Sequence, residues 1–112
     1  MGNSFLVQQV NGSGTIDYTF APAGPVEIRS VRVHLSVAGG SGNFVLSQDS
    51  ATSTSYDVQF KSQDMSSLAN YVWPDSARPL PVYIHEDDKF EVDWTSPITT
   101  TTYGVEIIYR LL

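Results

Sequence analysis

The chain has 112 residues, of which 41% are hydrophobic, 12% aromatic and 16% charged, which is typical of one globular domain rather than several domains or a disordered chain. Twelve acidic residues against six basic ones give a formal charge of −6, and this charge disfavours binding to nucleic acid or to an anionic membrane. Because the chain has no cysteine, it has no disulfide, no thiolate nucleophile and no cysteine-ligated zinc.

The segment from Met1 to Leu6 lacks the charged start and the long apolar run of a secretory signal. No stretch has the roughly 18 apolar residues that are needed to cross a membrane. We therefore expect a protein made in a cell's cytoplasm, without a membrane partner.

Alternation of apolar and polar residues with period two is the dominant pattern along the chain. It is clear in residues 16–20, 56–61, 89–94 and 103–112, and it indicates half-buried antiparallel strands. The apolar positions of these and neighbouring runs predict a core of Tyr18, Phe20, Val31, Val33, Leu35, Val58, Phe60, Val92, Trp94, Val105 and Ile107.

The longest apolar run, residues 26–37, changes phase partway along. Even-numbered positions are apolar at its start, and odd-numbered ones are apolar from Val31 onward. A change of phase at Arg29 and Ser30 predicts either a β-bulge or a strand that crosses from one sheet to the other.

Clusters of Gly, Ser, Asn and Pro separate these runs and predict turns. Gly39-Gly-Ser-Gly-Asn43 favours a hairpin connection over a phosphate-binding loop, because neither a lysine nor a helix follows it. The segment Ser62–Tyr71 is compatible with a helical turn, with Asp64 as its N-cap and Met65 and Leu68 facing inward.

These segments predict about eight short strands, so the expected fold is an all-β antiparallel β-sandwich. We favour a jelly roll, with an immunoglobulin-like sandwich as the alternative that the lack of paired cysteines weakens. The sequence predicts a single domain over residues 1–112, with residues 1–12 as a candidate N-terminal arm.

The densest acidic cluster is His85-Glu86-Asp87-Asp88. It lies between two alternating runs, where a polar hairpin turn is needed, and we favour that interpretation. A calcium site is the alternative, although the cluster lacks the Asp-x-Asp-x-Asp-Gly pattern of a calcium loop.

His34 and His85 are the only histidines in the chain, and both are expected at the surface. No Gly-x-Ser-x-Gly elbow presents a nucleophile, and scattered acidic residues neither show nor exclude the carboxylate pair of a glycosidase. We predict no catalytic residue, no cofactor and no metal ligand, so an enzyme is the least supported class.

Aromatic side chains offer another route to function, because ring faces pack against the apolar faces of sugars. Trp73, Trp94, Tyr71, Tyr83 and Tyr103 are the candidates for such a surface. Trp94 is in phase with core residues, whereas Trp73 precedes a proline near a loop and is the better candidate for a partner contact.

A set of strand and turn segments carries a further pattern, namely Ser30-Val-Arg-Val-His-Leu-Ser36, Gly39-Gly-Ser-Gly-Asn-Phe44, Tyr56-Asp-Val58, Gln63-Asp-Met65, Tyr71-Val-Trp73, Asp88-Lys-Phe90 with Trp94, and Thr102-Tyr-Gly-Val-Glu106. From about Val26 onward the chain resembles small virion proteins of tailed bacteriophages, in particular jelly-roll capsid decoration (cement) proteins. The resemblance implies a structural protein on the outside of an assembled capsid, with the major capsid protein lattice as its partner. It carries over no individual contact residue.

The two ends of the chain hold more apolar side chains than one core face needs. Phe5, Leu6 and Val7 lie at the start, and Ile108 and Leu112 lie opposite the core face of the last strand. With Trp73 they are the predicted partner contacts, in a homo-oligomer (dimer or trimer) at the capsid surface of the virion. The alternatives are a phage tail or fibre component, or a carbohydrate-binding β-sandwich module.

Overall fold

Strands make up most of the chain in the computed structural model, which describes residues 4–74 and 82–112. A single 3₁₀ turn, Thr54–Tyr56, precedes the fifth strand. The strands are β1 (Leu6–Ser13), β2 (Ile16–Phe20), β3 (Val26–Leu35), β4 (Asn43–Asp49), β5 (Val58–Asp64), β6 (Asn70–Trp73), β7 (Val82–Ile84), β8 (Lys89–Trp94) and β9 (Thr102–Leu111).

The strands form two antiparallel sheets. The five-stranded sheet has the order β1-β9-β3-β6, with the short β7 also paired to β3, and the four-stranded sheet has the order β2-β8-β4-β5. The pairs are nested, since β4 pairs with β5, β3 with β6, β2 with β8, and β1 with β9. This nesting is the double Greek key of a jelly roll, so the predicted β-sandwich is confirmed, with β7 as a ninth, short strand.

The core lies between the two sheets and follows the alternation of the strands. Trp94, Phe44 and Phe90 are its largest fully buried side chains. Of the predicted core residues, all but three are buried; Tyr18 and Phe60 pack half-buried against the core, and Val58 is exposed.

The predicted change of phase in β3 is a β-bulge. Ile28 pairs with Tyr109 and Ser30 with Ile108, which leaves Arg29 as the extra residue. Since β3 pairs with β9 on both sides of the bulge, the strand stays in one sheet and does not cross to the other.

A second bulge, in β5, explains why the prediction for Val58 is wrong. Leu46 pairs with Lys61 and Ser47 with Gln59, so Phe60 is the extra residue. A bulge interrupts period-two alternation, and Val58 therefore does not follow Phe60 onto the core face.

The helical turn predicted within Ser62–Tyr71 is also wrong. β5 continues to Asp64, β6 begins at Asn70, and the short link between them is a turn in which the Leu68 backbone N–H donates to the Met65 carbonyl. The inward-facing residues were predicted correctly, because Met65 is fully buried and Leu68 packs against the core.

Most of the candidate N-terminal arm, residues 1–12, is part of a sheet. Leu6 pairs with Tyr109 and Gly12 with Tyr103, and from Gln8 onward half-buried and exposed residues alternate along β1. The backbone pairing with β9 ties residues 6–12 to the sandwich. Residues 1–3 of the candidate arm lie outside the described residues.

Candidate functional site

The antiparallel strands give the sandwich two ends with different contents. We call one the terminal end, because it holds both ends of the chain together with the loops 21–25, 50–57 and 85–88. We call the other the closed end, and it holds the loops 14–15, 36–42, 65–69 and 95–101.

The closed end is held together by close backbone packing. The Trp94 indole N–H donates to the Ser41 carbonyl at 3.2 Å, and the Met65 N–H donates to the Gly42 carbonyl at 3.1 Å. A Cβ added to Gly39 would lie 2.6 Å from the Met65 carbonyl oxygen, so only glycine fits this crossing of two loops. These contacts fix the closed-end loops to one another, while Val37 and Ile98 in the same loops remain exposed.

Exposed apolar side chains cluster at the terminal end. We define the terminal apolar surface as Phe5, Leu6, Val7, Leu111 and Leu112, which are between 41% and 59% exposed. They share one corner because the start of β1 lies beside the end of β9. Leu6 pairs with Tyr109 and so shares a side of the sheet with Leu111, whereas Val7 pairs with Ile108 on the other side. The exposed apolar side chains therefore lie on both sides of this corner, and exposed apolar side chains clustered in this way mark interaction sites.

The structure brings together four of the six predicted partner contacts, namely Phe5, Leu6, Val7 and Leu112. Ile108 pairs with Val7 beside them but is half-buried. Leu111 was not among the predicted contacts, because this residue is in phase with the core face of β9 and is exposed only where the strand runs past the core.

Trp73 does not belong to this surface, and its prediction as an exposed partner contact is corrected. It pairs with Val31 in β3, is only 8% exposed, and its ring lies 6.3 Å from that of Phe60. The neighbour Val72 takes the solvent-facing position in β6 instead. Residues 75–81, which follow Trp73 and Pro74, lie outside the described residues.

The other aromatic candidates do not form a sugar-stacking face together. Tyr71 and Trp94 are buried, Tyr103 is half-buried, and only Tyr83 is exposed. The most exposed aromatic ring in the described part of the chain is Tyr56, at 60%. The sequence pattern assigned Tyr56 to a strand, whereas it ends the 3₁₀ turn.

An ion pair anchors the terminal apolar surface to the sheet. The Arg110 Nε–H donates to Glu27 Oε1 at 2.8 Å, and the Glu27 side chain is 4% exposed. The guanidinium groups of Arg29 and Arg110 lie 5.7 and 5.8 Å from the centre of the Phe5 ring, within the range of cation–π attraction. Phe5 is therefore held in place while part of its ring faces solvent.

The edge strands of the sandwich differ in charge and length. In the described part of the chain, β1 pairs with β9 alone, and its eight residues include no charged side chain and no proline. The edges of the four-stranded sheet are charged, since β2 carries Asp17 and β5 carries Lys61 and Asp64. At the far edge of the five-stranded sheet, β6 and β7 are also uncharged but have only four and three residues. Charged side chains on an edge strand prevent pairing with other chains, so β1 is the longest uncharged edge for an added strand.

The acidic cluster forms the predicted turn. The Asp88 N–H donates to the His85 carbonyl at 3.1 Å, and Asp87 has a φ of 72°. Asp88 is only 8% exposed, and its Oδ1 accepts the Ala51 N–H at 2.9 Å. Within residues 4–74 and 82–112, no group of three or more His, Cys, Asp and Glu side chains is placed to hold a metal ion.

An open groove of about 680 Å³ lies between loops 50–57 and 85–88, and we call it the Tyr56 groove. Its lining includes Tyr56, Gln48, Ser55, His85 and Glu86. The other histidine, on β3, is exposed as predicted and hydrogen-bonds to the Asn70 side chain.

No helix in the described ranges is long and apolar enough to span a membrane. Comparison with known protein families finds none that matches this chain, and comparison with curated proteins finds no significant relative. The strand order places the protein in the class of antiparallel jelly-roll β-sandwiches.

Proposed function

We propose that this protein is a structural virion protein that binds and stabilises an assembled phage capsid, as a decoration (cement) protein does. The observation that carries the proposal is the terminal apolar surface, which gathers Phe5, Leu6, Val7, Leu111 and Leu112 at one corner of a rigid sandwich. The resemblance of the strand and turn segments to phage virion proteins supports the same role.

The charge of the chain fits a protein that is made free and binds later. A net charge of −6 favours solubility and disfavours non-specific aggregation before binding. Burial of the terminal apolar surface against a capsid shell contributes favourable free energy in proportion to the apolar area removed from water. The major capsid protein lattice is therefore the partner that we assign to this corner.

The β1 edge supports association of two copies. Antiparallel pairing of β1 with β1 of a second copy satisfies the outward backbone N–H and C=O groups of both strands. Like charges do not oppose this pairing, since β1 has no charged side chain. The proposal is therefore a homo-oligomer joined through β1.

A capsid cosedimentation assay tests the proposed function. The double variant Leu111→Ser/Leu112→Ser removes two exposed side chains of the terminal apolar surface, and we expect capsid affinity to fall on the order of tenfold or more. The matched control is Val37→Ser/Ile98→Ser, which changes side chains of similar exposure (52% and 50%) in the closed-end loops. Equal losses in both variants, or no loss in the first, contradict the proposal.

The partner class has a simpler test in the gene order of the source genome. A major capsid protein gene beside this gene supports a decoration protein. A neighbouring fibre or tail gene supports the alternative of a tail or fibre component, which a rigid sandwich with an apolar corner would also suit.

Sedimentation velocity tests the β1 edge. Asn11→Lys/Ser13→Lys places two like charges on the exposed side of β1, away from Glu106, which pairs with Gln9. We expect this variant to sediment as a monomer because the same charges oppose each other across the paired strands. Gln59→Lys/Gln63→Lys on β5 is the control and should sediment as the unaltered chain does. A wild-type chain that is monomeric at every concentration refutes the homo-oligomer.

A further inference from the structure

The Tyr56 groove has the features of a ligand site. Tyr56 is 60% exposed in a groove whose other described lining residues are polar or charged, except for Val58. Among the described residues, the Tyr56 ring and hydroxyl, the His85 ring and the Glu86 carboxylate have no hydrogen-bond or ion-pair partner. An aromatic face next to free donors and acceptors is a surface that has not been satisfied within the fold.

The loop that carries Tyr56 is held in one conformation by its own hydrogen bonds. The Ser50 N–H donates to Asp57 Oδ1 at 2.8 Å, and the Tyr56 N–H donates to the Ser53 carbonyl at 3.0 Å. Gln48 Nε2 donates to the Tyr56 carbonyl at 3.1 Å, which leaves the Gln48 amide oxygen as an acceptor. A site whose shape is fixed before binding loses less entropy when it binds.

The two loops of the groove are also tied to each other. The buried Asp88 carboxylate accepts the Ala51 N–H at 2.9 Å, which joins loop 85–88 to loop 50–57. His85 and Glu86 are therefore held opposite Tyr56, although they lie about thirty residues further along the chain.

The chemistry of the lining selects the class of ligand. We propose that the Tyr56 groove binds a neutral saccharide, with a sugar ring against the Tyr56 face and hydroxyl groups hydrogen-bonded to Gln48, His85 and Glu86. Apolar sugar faces pack on aromatic rings, and amides, carboxylates and imidazole match the mixed donor and acceptor character of hydroxyl groups.

The charged and aromatic side chains that line the groove argue against two other classes of ligand. Among the residues that the structure describes, the groove lining holds two carboxylates, those of Glu86 and Asp88, and no lysine or arginine, so an anionic sugar is repelled. A quaternary ammonium ligand requires a cage of several rings, and Tyr56 is the only aromatic residue among the described residues that line the groove.

The test is a titration of the full-length ¹⁵N-labelled chain, followed by amide chemical shifts. The probes are maltotriose, cellotriose and tri-N-acetylchitotriose as neutral sugars, with trigalacturonate and choline as the charged comparisons. At about 10 mM probe, a site with a Kd of about 1 mM is nine-tenths filled. We expect at least one neutral trisaccharide to shift the amides of Gln48, Tyr56 and His85, and neither charged probe to do so.

Variants establish that Tyr56 makes the contact. Tyr56→Ala should weaken binding by about tenfold, while Tyr83→Ala, which removes an exposed tyrosine outside the groove, should leave it unchanged. The proposal is overturned if no neutral trisaccharide shifts these amides, if trigalacturonate or choline binds as well, or if the two variants behave alike. None of these results depends on capsid binding, so this proposal and the proposed function stand or fall separately.

Discussion

The two ends of the sandwich are built from the same strands but in opposite ways. At the closed end, loops cross at backbone contact distance, with Gly39 against Met65 and the Trp94 indole bonded to Ser41. At the terminal end, large apolar side chains such as Leu111 and Leu112 remain exposed beside an open polar groove.

This difference separates stability from binding within one small domain. The close contacts of Gly39 with Met65 and of Trp94 with Ser41 hold the closed-end loops together, so substitutions at these contacts act on the free energy of unfolding. Exposed groups at the terminal end contribute little to that free energy, and they remain free to contact a partner. Variants at both ends, compared by their effect on the free energy of unfolding, test this separation of stability from binding.

The largest effect is expected at Trp94, which is 1% exposed and reaches the closed-end loop. Trp94→Ala removes the largest core side chain and should lower the free energy of unfolding by about 3–5 kcal/mol, measured by chemical denaturation. Trp94→Phe keeps a ring but loses the bond to the Ser41 carbonyl, and should cost less. A loss below about 1 kcal/mol for Trp94→Ala would show that the closed end does not support the fold.

The next effect is expected at Gly42, which has a φ of +84° and whose added Cβ would lie 2.8 Å from the Thr95 carbonyl oxygen. Gly42→Ala should cost about 2–3 kcal/mol, because it combines an unfavourable backbone conformation with overpacking. Gly24→Ala is the control at the terminal end, where an added Cβ meets nothing within 4 Å. Equal melting temperatures for the two variants would remove the difference between the ends.

A smaller effect is expected at Asp88, where the terminal end does have a buried contact. Asp88→Ala leaves the Ala51 N–H without its acceptor and should cost about 1–2 kcal/mol. In the Asp88→Ala variant, the amide hydrogens of loop 50–57 should exchange faster than those of the closed-end loops. The exposed Glu86→Ala is the control for stability, and a similar loss in that variant would contradict the assigned role of Asp88.

The smallest effect is expected from Asp93 in the middle of the four-stranded sheet, where a carboxyl group makes the free energy of unfolding depend on pH. Asp93 lies opposite Asp17, and burial, with the nearby charges of Glu91 and Asp17, raises the pKa of Asp93 from 3.8 to about 6. Because the folded state favours the protonated form, the stabilising contribution of Asp93 is complete below pH 3.8 and is lost as the pH rises through 6.

Asp93→Asn removes that titration. The variant should be more stable than the wild type at pH 7.5 by about 1 kcal/mol, after discounting for solvent screening, and the gain should vanish near pH 4. Asp17→Asn should reduce the wild-type dependence without abolishing it. An unchanged difference between wild type and Asp93→Asn across this pH range would refute the raised pKa.

The sequence predicts the parts of this molecule that depend on local periodicity. Most of the strands, the change of phase at Arg29 and most of the core follow from the spacing of apolar residues, since each strand buries one face. The spacing left open whether that change is a bulge or a crossing between sheets, and it did not assign residues 6–12 to a strand. The positions of Val58 and Tyr56 could not be predicted, because a bulge at Phe60 and a 3₁₀ turn change the phase without a clear signal in the residues.

The candidate sites were predictable only where they lie close together along the chain. Phe5, Leu6 and Val7 stand out as an apolar run, and the strand pairing then brings Leu111 and Leu112 to them. The Tyr56 groove joins two loops that are far apart in sequence. Only the tertiary structure places them face to face.

Hydrogen exchange on capsids tests the division between the ends most directly. The protein is compared free and in the presence of empty capsids of the kind that we propose as its partner. We predict that binding slows amide exchange in residues 5–12 and 109–112 and leaves the closed-end loops 36–42 and 65–69 unchanged. Slower exchange in those loops, with none at the chain ends, would contradict the assignment of binding to the terminal end.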